Sequence, residues 1–346
     1  MKSHHPNNER IKRRYFTYLA EAQGQSQQSI DAIAAAIARF ESYTRYRDFK
    51  RFHIEQAKGF KQHLSDQSAG RTGGRLSKAT LYAALSALRR FFRWLAGQPG
   101  YKSRISYSDA EYFNLPLKDA RVAKAVRPAR VPTLEQIRHV IFSMPRTTEI
   151  ERRDRALIAF TILTGARDGA IASLKLRHID LVAGRVDQDA RQVNTKFSKS
   201  FSTTFFPVGD DIRAVVVDWV DYLRRDLLWG LDDPLFPATK VAVTGRKFEA
   251  VGLDRKHWSN AGRIRAIFKD AFAECGLTYF NPHSFRNTLA LLGQTLCKTP
   301  EAFKAWSQNL GHEHVLTTFC SYGNLDPHRQ AEIMRSFVGA TGPAQG

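Results

Sequence analysis

Apolar side chains in the first third of the chain recur at steps of three and four residues, the spacing of one helix face. One such stripe consists of Ile30, Ile33, Ile37 and Phe40. A second stripe, over residues 77–96, consists of Leu81, Leu85, Leu88, Phe92 and Leu95. Ser29 with Asp31 suggests where the first helix starts. The pattern predicts a helical first domain, with a glycine-rich basic loop over residues 66–76 between the two helices.

The pattern changes after Pro132. Residues 184–207 alternate between apolar and polar and are punctuated by turn residues, which predicts a small antiparallel sheet. Gly165 should break one helix and be followed by a second that runs to about Leu176. Helices are predicted over about 133–143, 152–164, 210–229, 259–275, 284–296, 300–310 and 327–338. The expected fold class is therefore mainly α with a small antiparallel β-sheet.

A proline- and glycine-bounded segment separates the two patterns and carries a basic residue at every third position from 118 to 130. For a chain of 346 residues, two domains are the natural expectation. We expect a helical DNA-binding domain over 1–100, a basic linker over 101–131 and a second domain over 132–346. The linker could lie along a DNA backbone, or it could be a hinge whose charge serves solubility.

Charge is the strongest compositional signal. The chain has a formal net charge of +20. Residues 1–130 hold 25 Lys and Arg against 10 Asp and Glu, whereas residues 131–346 hold 28 against 23. Such an excess favours a polyanionic partner, above all nucleic acid, over a basic protein that is merely soluble.

Other features of the sequence indicate where in the cell the protein is expected. No apolar stretch of about 18 residues is present, so no membrane span is expected. The polar, basic residues 1–14 do not resemble a secretory signal. The three cysteines, Cys275, Cys297 and Cys320, form neither a disulfide framework nor a zinc pattern. These features fit a protein of a reducing cytoplasm.

Several kinds of catalytic site are missing from the sequence. It contains no phosphate-binding P-loop, no dinucleotide-binding glycine motif after a strand, and no carboxylate cluster for two metal ions. His312, His314 and Cys320 do not have the spacing of a zinc site. We therefore expect neither a metal nor a cofactor. A basic DNA binder without metal ligands must activate phosphate with its own cations.

Four segments could supply those groups: residues 164–180, 195–200, 282–290 and 310–323. The residues of interest in them are Arg167, Lys196, Lys199, His283, Arg286, His312 and Tyr322. Taken singly, each has an ordinary explanation, such as a surface arginine, a solvated lysine or a packing tyrosine. His283 and Arg286 are three residues apart near a helix start, so both can face one side. The ordered set is what favours catalysis.

This order resembles the catalytic half of the tyrosine recombinases of the phage integrase family. An arginine, a hairpin lysine, H-x-x-R, L-G-H and a tyrosine follow one another between about residues 133 and 325. The helix over 77–96 is similar to the last helix of the family's core-binding domain. The resemblance implies a two-domain, C-shaped DNA clamp with a helical core-binding domain and a catalytic domain.

The resemblance also implies a role for each residue. Arg167 and Arg286 would hold the non-bridging oxygens of the scissile phosphate, since a guanidinium fork matches two oxygens. His283 and His312 would add hydrogen bonds and handle protons. Lys196, or Lys199 as the fallback, would protonate the leaving 5′-oxygen. The nucleophile would be Tyr322.

Partners follow from the same chemistry. Exchange between two duplexes needs four cuts, so a homotetramer on double-stranded DNA is expected, with other recombinase subunits as further possible partners. Arg89, Arg90 and Arg93 on the 77–96 helix, together with Lys199, are candidate DNA contacts. For any one of these arginines, a solvated charged face is an equally good explanation.

Two departures from the family pattern keep alternatives open. The acidic residue that the family commonly has three positions after its first arginine is Ala170 here, with Asp168 nearer. His312 and Tyr322 are ten residues apart, one more than is usual in the family. The alternatives are a DNA-binding subunit that does not cut, and a relaxing enzyme of the type IB topoisomerase kind.

Overall fold

The computed structural model describes residues 4–67, 75–125, 130–195, 198–244, 247–312 and 327–336. The chain divides into two units, Met1–Ala125 and Val126–Gly346. Most described residues are helical, and the strands are short and antiparallel. This confirms the predicted mainly α fold with a small antiparallel sheet. None of the helices within these ranges is long and apolar enough to cross a membrane.

The described part of the first unit contains α1 (Pro6–Thr17), α2 (Gln27–Tyr43), α3 (Ile54–Asp66), α4 (Lys78–Ala96) and α5 (Leu117–Lys124). The predicted apolar stripes of α2 and α4 are buried. The predicted start of α2 was wrong. Ser26 caps this helix by accepting a hydrogen bond from the Ser29 N–H, so α2 begins before Ser29.

Aromatic rings form the centre of the first unit. The rings of Phe52 and Phe92 lie 4.2 Å apart, and Phe92 is 5.2 Å from Phe113. Phe40 meets Phe60 edge to face at 5.2 Å. Each such pair contributes about 0.5–1.5 kcal/mol beyond the area it buries. Through these rings α2, α3 and α4 share one core.

Part of the predicted linker lies in this same unit. Residues 101–125 include a 3₁₀ turn, Asp109–Phe113, and helix α5. Phe113 is fully buried, because its ring completes the aromatic core. Residues 126–129 lie outside the described residues. The function of 101–131 as a connector stays a prediction.

The helices described in the second unit are α6 (Leu134–Ser143), α7 (Glu149–Thr164), α8 (Asp168–Ile171), α9 (Asp210–Asp221), α10 (Gly262–Glu274), α11 (Pro282–Leu296), α12 (Pro300–Asn309) and α13 (Pro327–Ser336). The strands are β1 (Ile179–Asp180), β2 (Arg185–Gln188), β3 (Phe201–Thr204), β4 (Ala238–Thr244) and β5 (Lys247–Asp254). Strands β1, β2 and β3 form one antiparallel sheet in that order. Strands β2 and β3 lie within the predicted sheet region, whereas β1 precedes it.

Helix α7 runs through the core of the second unit. Its last nine residues are all buried, as expected of a helix that is apolar on every side. It starts with a capping box in which Thr148 and Glu151 bond each other's backbone N–H groups. It ends, as predicted, at Gly165, which has a φ of +60°.

The long helix predicted after Gly165 is wrong. The structure has only the short α8 and a 3₁₀ turn, Leu176–His178. The intervening backbone bonds to another segment instead. The Leu176 N–H donates to the Asp233 carbonyl at 3.0 Å, and the Leu235 N–H donates to the Leu174 carbonyl at 2.9 Å. The spacing of apolar residues along the chain carries no information about such long-range partners.

The hairpin of β4 and β5 was not predicted from the sequence. Val243 pairs with Phe248 across this hairpin, and both side chains are exposed. Arg153 of α7 anchors the start of β4, because it donates to the Pro237 carbonyl at 3.0 Å and to the Thr239 hydroxyl at 2.9 Å. The alternating valines in residues 238–244 were the available signal.

We expect Phe113→Ala to lower the free energy of unfolding of the first unit by about 3–5 kcal/mol, since it removes a buried ring from the core. Urea denaturation of the full chain and hydrogen exchange of α4 would measure this. The control is Tyr112→Ala, whose ring is 40% exposed and should matter far less. Equal effects of the two changes would contradict a core position for residues 109–113.

Candidate active site

Arg286 lies at the centre of the candidate site, on the second turn of α11. Its side chain is buried, and only 4% of the residue is exposed. One terminal nitrogen, Nη1, donates to the Gly165 carbonyl, and the other, Nη2, donates to the Leu310 carbonyl at 2.5 Å. Nη2 also lies 3.1 Å from Nε2 of His312. Arg286 therefore connects the ends of α7 and α12 to its own helix.

The turn after α7 requires a glycine. At position 165 the backbone is left-handed, and a Cβ would lie 3.0 Å from side-chain carbons of both Leu289 and Leu310. The turn places Arg167 two residues later, at the start of α8, where it is half-buried. Burial lowers the pKa of Arg167, yet a guanidinium stays charged at neutral pH.

His312 follows a second glycine turn, at the end of α12. Gly311 has a φ of +69°, and the His312 backbone N–H donates to the Ser307 carbonyl at 3.1 Å. Burial, followed by the charge of Arg286, lowers the pKa of the His312 imidazole to about 4. His312 is therefore neutral at physiological pH.

The contact with Arg286 also fixes the tautomer of His312. A guanidinium only donates hydrogen bonds, so the Nε2 atom that faces it must accept. The proton of the neutral ring then sits on Nδ1. His312 can thus act as a hydrogen-bond donor through Nδ1 without carrying charge.

Four of the predicted residues come together in the structure. The charges of Arg286, Arg167 and His283 all act on His312, each lowering the pKa of its imidazole. His283 is exposed on the first turn of α11, three residues before Arg286. No group of three or more His, Cys, Asp or Glu side chains in the described ranges is arranged to hold a metal ion. The catalytic roles of the four residues Arg167, His283, Arg286 and His312 stay predictions.

The structure describes only one of the three other candidate catalytic residues. Strands β2 and β3 pair up to Gln188 and Phe201, so residues 189–200 connect them. Lys199 is half-buried at the end of this connection, two residues before β3. Lys196 and Tyr322 lie outside the described residues, and their roles likewise stay predictions.

The position three residues after Arg167 is part of the core. Ala170 is 1% exposed and packs among apolar side chains. The Asp168 carboxylate accepts from the Arg265 side chain at 2.7 Å and from the Gly169 N–H at 2.9 Å. The contacts of Asp168 thus lead to α10 and to its own turn.

The arginines of α4 have different surroundings. Arg89 donates to the Asn114 side chain at 2.7 Å, and both Arg89 and Arg93 are within 3.6 Å of Glu111 carboxylate oxygens. Arg90 is exposed and lines a groove between α2 and α4 together with Arg39. DNA contacts by these residues stay predictions.

Sequence reasoning missed two residues next to the site. Arg265, which pairs with Asp168, lies 97 residues away in the chain, and nothing in its local sequence marks it. Asn309 directly precedes the L-G-H box, and its side chain bonds to the backbone of Thr204 at 2.7 and 2.8 Å. In the sequence, only the position of Asn309 next to this box could have drawn attention to it.

The comparisons with known proteins agree with this geometry. The sequence profile of the "Phage integrase family" matches residues 133–329, and that of the "Phage integrase, N-terminal SAM-like domain" matches residues 13–98. The fold and the site thus define an enzyme that breaks and rejoins DNA strands. The chain belongs to the phage integrase family.

Relatives and solved structures are consistent with this assignment. Tyrosine recombinase XerC of Escherichia coli (strain K12 / DH10B) is 26% identical over 265 residues, which cover 75% of this chain and 74% of XerC. A lambda integrase (75-356) dimer bound to a COC′ core site has a TM-score of 0.61 at 14% identity, covering 92% of this chain and 96% of that one. XerH bound to palindromic difH also has a TM-score of 0.61, at 19% identity, over 93% of this chain and 84% of XerH.

We expect Arg286→Lys to reduce DNA cleavage about 10²-fold or more while the protein still folds. A lysine keeps the charge but cannot reach Gly165, Leu310 and His312 at once. Single-turnover cleavage assays measure the effect. The matched control is Arg213→Lys, because exposed Arg213 also donates to a carbonyl, that of Leu181 at 3.0 Å. If both variants cleave like the wild type, the central position of Arg286 is wrong.

The imidazole of His312 should titrate near pH 4, well below the ordinary histidine pKa of about 6.5. Between these values the unfolded chain binds a proton that the folded chain does not. The contribution of the neutral His312 imidazole to the free energy of unfolding is therefore fully present above about pH 6.5. It is lost as the pH falls towards 4. NMR titration of histidine-labelled protein, assigned with His312→Gln, measures it. A midpoint near 6.5 would disprove the lowered pKa.

Proposed function

We propose that this chain recombines double-stranded DNA at specific sites by transesterification, through a covalent 3′-phosphotyrosyl intermediate. The convergence of α7, α11 and α12 on Arg286 is the main support. It brings two guanidinium groups and two imidazoles into electrostatic reach of one another. Such a set suits a single phosphodiester, whose negative charge grows as it is attacked.

In the first step the phenolic oxygen of Tyr322 bonds to phosphorus, and the bond from phosphorus to the 5′-oxygen breaks. Lys196, or Lys199 in its place, gives its proton to the departing 5′-oxygen, and the phenolic proton passes to a base or to water. Arg167 and Arg286 hold the non-bridging oxygens throughout. Neutral His312 donates a hydrogen bond through Nδ1.

The second step reverses the first with another strand. A 5′-hydroxyl attacks the phosphotyrosyl phosphorus, and the tyrosine leaves and regains its proton. One phosphodiester is broken and one is formed, so the bond energy is conserved in the intermediate. The cycle consumes no ATP, and the cations of the chain supply the charge stabilisation.

We place the enzyme in an assembly of four copies on two DNA sites. Support comes from a lambda integrase tetramer bound to a Holliday junction, which has a TM-score of 0.58 and covers 92% of this chain. Other recombinase subunits could replace some copies. Because its substrate is DNA, we assign the enzyme to the bacterial cytoplasm, in association with the nucleoid.

Tyr322→Phe should abolish a covalent DNA adduct that the wild-type chain forms in the presence of EDTA. The substrate is a nicked duplex that carries the DNA ends flanking the gene, since a nick lets the cleaved fragment diffuse away. Denaturing gel electrophoresis reveals the adduct. DNA binding, measured by mobility shift, should persist in the variant because only the hydroxyl is lost.

The control is Tyr279→Phe, which removes the hydroxyl of an exposed tyrosine of the same unit and should leave the adduct intact. An adduct that survives Tyr322→Phe would refute the assignment of the nucleophile. Binding without any wild-type adduct would favour a subunit that does not cut. Relaxation of any supercoiled plasmid, whatever its sequence, would favour a topoisomerase.

A further inference from the structure

Strand β3 is at the edge of its sheet, and the side chain of Asn309 pairs with its outer backbone. The Thr204 N–H donates to Asn309 Oδ1 at 2.7 Å, and Asn309 Nδ2 donates to the Thr204 carbonyl at 2.8 Å. The carboxamide offers one acceptor and one donor, as a residue of a neighbouring strand would. Asn309 thus extends the sheet by one residue.

The backbone of Asn309 is held by the same strand. Its carbonyl accepts from the Thr203 hydroxyl at 3.1 Å, and that hydroxyl accepts in turn from Gln188 of β2 at 3.4 Å. Thr203 and Gln188 are buried, with 1% and 3% of their surfaces exposed. The end of α12 is therefore fixed to the sheet through both its side chain and its main chain.

The next turn is seated against the same strand. A Cβ at Gly311 would lie 2.7 Å from ring carbons of Phe201, so the turn packs directly on this ring. His312 follows this glycine, and Lys199 lies two residues before Phe201. The contacts of Asn309 thus join the segment that holds His312 to the strand that continues from Lys199.

We propose that Asn309 is a positioning residue for the recombination reaction. Its carboxamide fixes the L-G-H turn relative to β3, and so holds the described end of the β2–β3 connection, at Lys199, in register with Arg286 and His312. In the proposed function this connection supplies the proton-donating lysine. This inference rests on the proposed function. Asparagine suits the position because a carboxylate would lack the donor and a leucine would lack both groups.

The test compares two substrates at the same DNA site, one natural and one with sulfur in place of the bridging 5′-oxygen. A thiolate leaves without protonation, so cleavage of the sulfur substrate does not depend on the lysine. Asn309→Leu should slow cleavage of the natural substrate by up to about 10²-fold, since a displacement of about 1 Å can cost that much. Cleavage of the sulfur substrate should stay near the wild-type rate.

Asn309→Asp keeps the acceptor and loses the donor, so it should show a smaller defect with the same rescue by sulfur. It also carries the test if Asn309→Leu does not fold. The control is Gln308→Leu, an exposed neighbour on α12, which should cleave both substrates normally. Equal slowing on both substrates would overturn the proposal, as would no slowing on either.

A failure of the proposed function would look different. Lys196→Ala and Lys199→Ala are measured beside the Asn309 variants on both substrates. If neither lysine variant is rescued by sulfur, the assignment of the proton donor is wrong. If one is rescued and Asn309→Leu is not, the chemistry stands and only the positioning role of Asn309 fails.

Discussion

A buried guanidinium must find acceptors, and the whole candidate site is arranged around the acceptors of Arg286. An unpartnered buried charge would cost several kcal/mol, so the chain has to bring carbonyl groups to it. It does so by ending α7 at Gly165 and α12 at Leu310, where helix termini leave backbone carbonyls available. The positions of Arg167 and His312, just beyond those ends, follow from this requirement.

Burial, followed by the charge of Arg286, sets the protonation of His312. A protonated imidazole there would lose its solvation and be repelled by the guanidinium, so the ring stays neutral. In the proposed reaction, the positive charge needed for phosphate is therefore carried by groups that do not titrate near pH 7. In that reaction His312 contributes a hydrogen bond of fixed direction, through Nδ1–H, and carries no charge. Charge and hydrogen-bond geometry are thus supplied by different residues.

Local patterns predicted much of the fold, because α2, α4 and α7 are determined by apolar spacing and by residues at their ends. The order of Arg286 and His312 along the chain resembles a family and suggested that the two belong to one site, and their side chains lie 3.1 Å apart. The short α8 and the bonding of Asn309 to Thr204 were not predictable, since both depend on backbone partners far away in sequence. The partner of Asp168 was not predictable for the same reason, because Arg265 belongs to α10.

Two of the acceptors that hold Arg286 are main-chain carbonyls, and this shapes how the site can evolve. The Leu310 carbonyl is present whichever side chain occupies position 310, so that position is restrained by packing alone. Gly165 is restrained by its backbone conformation, and Arg286 by its chemistry. These three positions, which are neighbours in space, therefore tolerate sequence change to different degrees. Divergent members of such a lineage can exchange the surrounding side chains while the anchoring of the guanidinium survives.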